Sequence, residues 1–262
     1  MTNVATRDET KVVQAFWIPG CTSCLRMKEF LKKAGQPFTA INVEEHPEAQ
    51  ERLLGLGLSV PAVSLGDRII PGLDLVGIAE LIGFDYTPPT ILPPEELAHR
   101  YRAVTDTVCS TLLEMSEDHL QWHTPDRDRS LAELSGHIGS IMRAFLAVYD
   151  AEEYDHDLEV PPVPLSTATE LVALMEETQG LFDEWWRRFG FDDRLDRQVQ
   201  TYWGVRSLHE VLERGVWQAV QHTRQLTYFV ELQGVVPSRR LTLDELAGLP
   251  LPEGIHSGGE DV

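Results

Sequence analysis

Apolar positions divide this chain into two differently patterned parts. Near its start, the run Val12-Val-Gln-Ala-Phe-Trp17 halts at Pro19-Gly20, and residues 22–34 then carry helix formers with Leu25, Met27, Phe30 and Leu31 apolar. That order predicts strand, turn, helix. A second run, Phe38-Thr-Ala-Ile-Asn-Val43, precedes a charged, leucine-containing stretch at 47–55. Val60-Pro-Ala-Val-Ser-Leu65 and Arg68-Ile-Ile70 follow, with Gly66-Asp67 between them as a hairpin turn, and Asp74–Ile82 adds a helix. The predicted order β-α-β-α-β-β-α suits a four-stranded sheet with helices packed on it.

Between residues 84 and 94 the sequence reads Phe-Asp-Tyr-Thr-Pro-Pro-Thr-Ile-Leu-Pro-Pro, where proline favours extended chain, so a linker is expected over 85–94. Beyond it the spacing becomes helical. Leu97, Tyr101, Val104, Val108, Leu112 and Met115 recur every three or four residues. Ser130-Leu-Ala-Glu133, Thr167-Ala-Thr-Glu170 and Ser207-Leu-His-Glu210 each fit a capping box ahead of an apolar stripe, and Gly190 and Gly234 fall where the last two long helices should stop. The expectation is an α/β domain over 1–84, a four-helix bundle over 95–236, and a tail over 237–262 with a mobile end.

The 262 residues include 22 Lys+Arg against 42 Asp+Glu, a net charge of -20, which opposes docking on nucleic acid or an anionic membrane. No apolar segment reaches the roughly 18 residues that spanning a bilayer needs, and residues 1–8 lack the apolar core of a signal peptide, so the cytoplasm is expected. A homodimer is compatible with this composition. The three cysteines, Cys21, Cys24 and Cys109, are too few for a disulfide framework.

Cys21-Thr-Ser-Cys24 lies where the first strand passes into the first helix, and there backbone amides and the helix dipole stabilise a thiolate. Cys21 is the expected nucleophile. Cys24, one turn on, can attack a mixed disulfide on Cys21 and release a reduced substrate. A zinc site would need four soft ligands, and the chain has one other cysteine.

Phe16-Trp-Ile-Pro-Gly-Cys-Thr-Ser-Cys24, Val60-Pro61 and Gly72-Leu-Asp74 together resemble the glutaredoxin family, over residues 11–84. The resemblance implies a thioredoxin-like fold, thiol–disulfide oxidoreductase activity and a cis Pro61. It also implies that Val60, Pro61, Gly72 and Asp74 hold glutathione or another low-molecular-weight thiol beside Cys21. Two positions depart from the family pattern: Ile18 stands where many members have lysine, and Pro71-Gly72 replaces a Gly-Gly pair. Loss of a charge-assisted contact of about 1.5–3 kcal/mol weakens a carboxylate ligand by one to two decades, which admits a different small thiol or a protein partner.

In the helical part, His137 sits at the edge of the stripe Leu131, Leu134, Ile138, Ile141, Phe145. His222 lies in the stripe Leu208, Leu212, Ala219, Leu226, Phe229, with Gln218 and Gln225 beside it. Either histidine could be a satisfied core residue, and two on facing helices could ligate a metal. Residues 95–249 are similar to the DinB-like bundle superfamily, whose members include small-thiol-dependent transferases. That resemblance implies a divalent ion, zinc or nickel, on His137, Gln218 and His222, with Gln218 in place of the usual histidine. A transferase whose thiol the first domain recycles, or a redox or metal sensor, are the alternatives to the oxidoreductase. Cys109 is expected as a small buried hydrophobe. His99, His156, His209 and His256 are expected on solvated segments, as are the acidic Glu152-Glu153, Asp155 and Asp192-Asp193, while Trp185, Trp186 and Trp203 belong near the bundle core.

Overall fold

A computed structural model describes residues 12–125, 127–151, 153–189 and 193–255. The chain divides into two compact units at Pro88–Pro89.

The first unit runs β1 (Val13–Trp17), α1 (Thr22–Lys33), β2 (Phe38–Asn42), α2 (Pro47–Leu54), β3 (Ala62–Leu65), β4 (Arg68–Pro71) and α3 (Leu75–Ile82). This is the predicted order. The sheet order is β2-β1-β3-β4, with β1 and β2 parallel and the remaining pairs antiparallel. The parallel pair needs a crossover, which α1 supplies, whereas β3 and β4 need only the Gly66-Asp67 turn, where Gly66 takes φ 61°. Alternation along β1 sends Val13 and Ala15 to one face with Met27, Leu31 and Ile78, and Phe16 to the other with Val43, Leu53 and Ala62. Helices α1 and α3 therefore cover one face and α2 the other.

The second unit contains α4 (Pro94–Glu114), α5 (Glu117–Gln121), α6 (Leu131–Asp150), α7 (Ala168–Phe189), the hairpin β5 (Gln198–Thr201) and β6 (Gly204–Ser207), α8 (Leu208–Leu232) and α9 (Leu243–Leu246). Each of α4 and α6 packs against both α7 and α8, which makes a four-helix bundle. The predicted stripes are buried, and the Ser130, Thr167 and Ser207 hydroxyls cap α6, α7 and α8 as expected. Helix α8 ends at Leu232, and Gly234 follows at φ 84°. Gly190, Glu152, Asp192 and His256 lie outside the described residues.

Two boundaries differ from expectation. The segment 85–94 is shared between the units: Tyr86 packs edge-on against Phe30, while Leu92 O accepts a hydrogen bond from His209 Nε2 at 2.9 Å and Pro94 opens α4. Residues 237–255, expected as a tail, belong to the bundle. Arg100 Nη2 donates to Ala247 O at 3.0 Å, Arg224 Nη1 to Pro252 O at 2.9 Å and Gln221 Nε2 to Gly254 O at 2.9 Å. Backbone carbonyls of a segment poor in regular structure thus find side-chain donors on α4 and α8. No helix among the described residues is long and apolar enough to cross a membrane.

Candidate functional site

Helix α1 starts at Thr22 because Cys21 is its N-cap, with extended backbone angles of φ -86° and ψ 110°. The Cys21 Sγ accepts the Cys24 amide hydrogen at 3.1 Å. A sulfur thus occupies the place where a capping oxygen usually meets an orphan amide. The first turn of α1 has no acidic residue and its last turn has Lys32 and Lys33. No carboxylate within that turn offsets the positive end of the dipole beside Cys21. Cys21 and Cys24 form a disulfide with Cα atoms 5.2 Å apart. Cys21 is half-buried and Cys24 fully buried, so an incoming thiolate reaches Cys21.

The Val60–Pro61 bond is cis. Gly72 lies against it: the Gly72 amide donates to Pro61 O at 2.7 Å, and a Cβ at Gly72 would stand 2.5 Å from Pro61 Cβ and 2.9 Å from Met27 Sδ. Any larger residue in place of Gly72 would push the proline or α1 aside. Asp74 caps α3 by accepting the Gly77 amide hydrogen at 3.2 Å, which commits one carboxylate oxygen to the fold. The structure therefore brings Pro61, Gly72 and Met27 together.

Sequence reasoning missed Lys28. This lysine is fully buried on α1, and its Nζ stands 3.8 Å from the centroid of the Trp17 ring. Burial, then repulsion from Lys32, lowers its pKa to about 8. Its position, four residues after Cys24 on the apolar side of a helix, was the available signal.

In the bundle, the His137 and His222 rings meet edge-on with centroids 4.7 Å apart. His137 Nδ1 donates to Glu159 O at 2.7 Å and His222 Nδ1 to Gln225 Oε1 at 2.7 Å. The Gln218 amide nitrogen approaches His137 Nε2 at 3.5 Å and Glu159 Oε2 at 3.4 Å, whereas Gln218 Oε1 is buried without a partner. Burial pushes His137 down to about 4, against the opposing pull of Glu159, and pushes His222 well below the ordinary imidazole value.

Beneath the histidines lies a group that the sequence did not reveal. Glu159, in a 3-10 turn over His156–Glu159, is fully buried and paired with Arg214 of α8. Tyr154 OH donates to the same carboxylate, Arg214 Nη2 donates to Tyr202 OH at 2.6 Å, and Trp203 faces the guanidinium at 5.3 Å. Burial pushes the Glu159 carboxyl up, but the charge and hydrogen bonds of Arg214 outweigh it and hold the carboxyl at about 2. His156 is exposed, as expected, and its Nε2 also reaches Glu159 Oε2 at 3.3 Å.

The expected metal ligands His137, Gln218 and His222 do come together, but the donor set does not fit zinc or nickel. Two neutral imidazoles and an amide oxygen would face the ion, and the nearby carboxylate is already neutralised by Arg214. Gln218 in place of a third imidazole leaves the set one strong donor short. Among the described residues no group of three or more His, Cys, Asp or Glu side chains is placed to hold a metal.

Residues 11–70 match the glutaredoxin family model, from β1 into β4. Comparison with curated proteins gave no match. Among solved structures, a candidate DinB-family member from Exiguobacterium sibiricum is similar at 19% identity and a TM-score of 0.44, covering 57% of this chain and 96% of that one. The first unit is accordingly a glutaredoxin-like domain of thioredoxin-like fold, followed by a helical bundle.

Proposed function

We propose that the protein is a cytoplasmic thiol–disulfide oxidoreductase of glutaredoxin type working with a low-molecular-weight thiol. The observation that carries this reading is the Cys21 sulfur at the N-cap of α1, bonded to Cys24 and hydrogen-bonded to its amide. In the reduced enzyme the Cys21 thiolate attacks one sulfur of a substrate disulfide, the disulfide bond breaks, and its other sulfur leaves as a thiolate. Cys24 then attacks Cys21 Sγ, releases the second substrate sulfur and closes the Cys21–Cys24 bond. Two small thiols reverse this in turn. The first attacks Cys21 Sγ and frees Cys24, and the second takes the first off as a small-molecule disulfide. The cis Val60–Pro61 loop, with Gly72 beside it and Asp74 at the start of α3, supplies the ledge for the small thiol.

Reduction of a mixed disulfide between glutathione and a peptide, with glutathione as reductant, tests this on the full chain. Activity is expected in the wild type and its loss in Cys21→Ser. Cys24→Ser should accumulate a mixed disulfide on Cys21 whose mass names the thiol. No exchange with any small thiol would refute the reading.

A second reading is favoured by the buried imidazole pair: the bundle would hold a small thiol beside His137 and His222 and transfer it to an electrophile. Thiol transfer that survives Cys21→Ser but not His222→Ala would support it.

A further inference from the structure

Gln218 of α8 stands where His137 of α6, Glu159 of the 3-10 turn and His222, one turn further along α8, converge. None of these groups takes part in the thiol–disulfide exchange. Their hydrogen-bond roles follow from their partners. His137 Nδ1 meets the Glu159 backbone carbonyl, which can only accept, so Nδ1 carries the hydrogen and Nε2 presents a lone pair. His222 Nδ1 donates to Gln225 Oε1 in the same way, which leaves its Nε2 a lone pair as well. Arg214 keeps the Glu159 carboxylate ionised, so Oε2 only accepts. Both atoms that the Gln218 amide nitrogen approaches, His137 Nε2 at 3.5 Å and Glu159 Oε2 at 3.4 Å, are therefore acceptors. The amide must turn its NH2 to them and its carbonyl away. That carbonyl oxygen is buried without a partner in a residue only 6% exposed. Turning the amide over would set the oxygen against two lone pairs and orphan the NH2 instead.

A hydrogen bond at Nδ1 is how metal-ligating imidazoles are usually oriented, and these two rings already meet with centroids 4.7 Å apart. Two such donors are too few. A zinc site takes at least three strong protein donors, and the nearest carboxylate is committed to Arg214 and Tyr154. We infer that Gln218 makes this site metal-independent, its amide presenting a hydrogen where an ion would need a lone pair and tying the His137 ring to the Glu159 carboxylate. The convergent histidines are thus held by hydrogen bonds alone, in an arrangement one side chain away from a metal centre. A third imidazole from position 218 would complete a set of three nitrogen donors, which suits zinc, nickel or cobalt. Any chemistry in the bundle proceeds without a Lewis acid at this point.

The experiment exposes the full chain to zinc, nickel and cobalt in turn while the Cys21–Cys24 bond is intact, so that those sulfurs cannot ligate. Metal content after gel filtration and the visible absorption of bound cobalt are the readouts. The wild type should retain no ion whose uptake depends on His137 or His222. Gln218→His should gain one ion per chain, and adding His222→Ala to it should remove that ion again, whereas an ion held by Cys109 or surface histidines would survive. Zinc should also raise the melting temperature of Gln218→His and leave that of the wild type unmoved, since an ion held only by the folded chain stabilises it. A wild type that retains one zinc or nickel ion and loses it in His222→Ala overturns the inference, and that measurement needs no variant at position 218. A folded Gln218→His chain that takes up no ion overturns it as well, because Gln218 would then not be what keeps metal out. Gln218→Cys, with a smaller side chain and a soft donor, answers the same question should the histidine variant fail to fold.

Discussion

The Cys24 amide hydrogen points at Cys21 Sγ across 3.1 Å, within the same turn that the disulfide closes. The donor that caps the helix in the oxidised protein is therefore in place to receive charge on that sulfur once the bond is reduced. Chemistry and helix initiation depend on one contact.

Cys21 in the reduced protein should accordingly ionise at a lower pH than a free cysteine. Cys109 should be its opposite, since burial first, then Glu176 and Asp106, push that thiol up to about 11. Alkylation followed peptide by peptide across pH would check both. An ordinary midpoint for Cys21 would remove the basis for its role as nucleophile.

Gly72→Ala should damage the thiol ledge. Its new Cβ would lie 2.5 Å from Pro61 Cβ, closer than packed carbons approach, so the loop or α1 must shift. Overpacking of this kind costs about 1–3 kcal/mol. Turnover with a small thiol should fall about tenfold, while the alkylation profile of Cys21 stays near that of the wild type. Steady-state rates and thermal melts of the variant would show whether the two effects separate.

Breaking the Glu159–Arg214 pair should be far more harmful than removing it whole. Glu159→Gln or Arg214→Met alone leaves an uncompensated buried partner, at a cost of about 3–5 kcal/mol. The double variant should recover much of that loss. Denaturant unfolding of the wild type and the three variants gives the coupling energy, and simple additivity would argue against the pair.

Acid should loosen the bundle in a defined window. His137 is held at about 4 by burial, below its ordinary 6.5, and burial likewise holds His222 well below that ordinary value. In this range the unfolded chain binds more protons, so stability is complete above about 6.5 and falls as pH drops toward 4. By pH 5, His137 alone accounts for a loss on the order of 2 kcal/mol. Glu159, held low by Arg214 against its burial, has its contribution in full above about 4.5 and loses it only toward 2. Melting temperatures should hold from pH 7.5 to about 6.5 and fall from there to 4.5, and His137→Gln should flatten that fall.

Much of the first domain was legible because its signals are local. Alternation in β1, the Gly66-Asp67 turn and the cysteine motif at a strand–helix junction each occupy a few adjacent residues. The bundle helices were legible for the same reason, through their capping boxes and stripes. What escaped notice depends on distant partners. Arg214 sits on a helix where an arginine normally faces water, and only the folding of a 3-10 turn from 156–159 against it makes both charges internal. Lys28 escaped because a lysine among apolar residues is ordinarily assigned to the outer face. Val60, Pro61, Gly72 and Asp74 were singled out only by resemblance, and the steric need for glycine became visible only when strand pairing set Gly72 against Pro61.

The stretch from Pro237 to Ile255 behaves as a girdle, tied to two parallel helices by the guanidiniums of Arg100 and Arg224 and the amide of Gln221. A chain shortened at Gly234 would keep every long helix yet strip those three side chains of their carbonyl partners in 237–255. Fusions or protease nicks within that girdle would therefore loosen the bundle, and a domain excised for study has to carry it along.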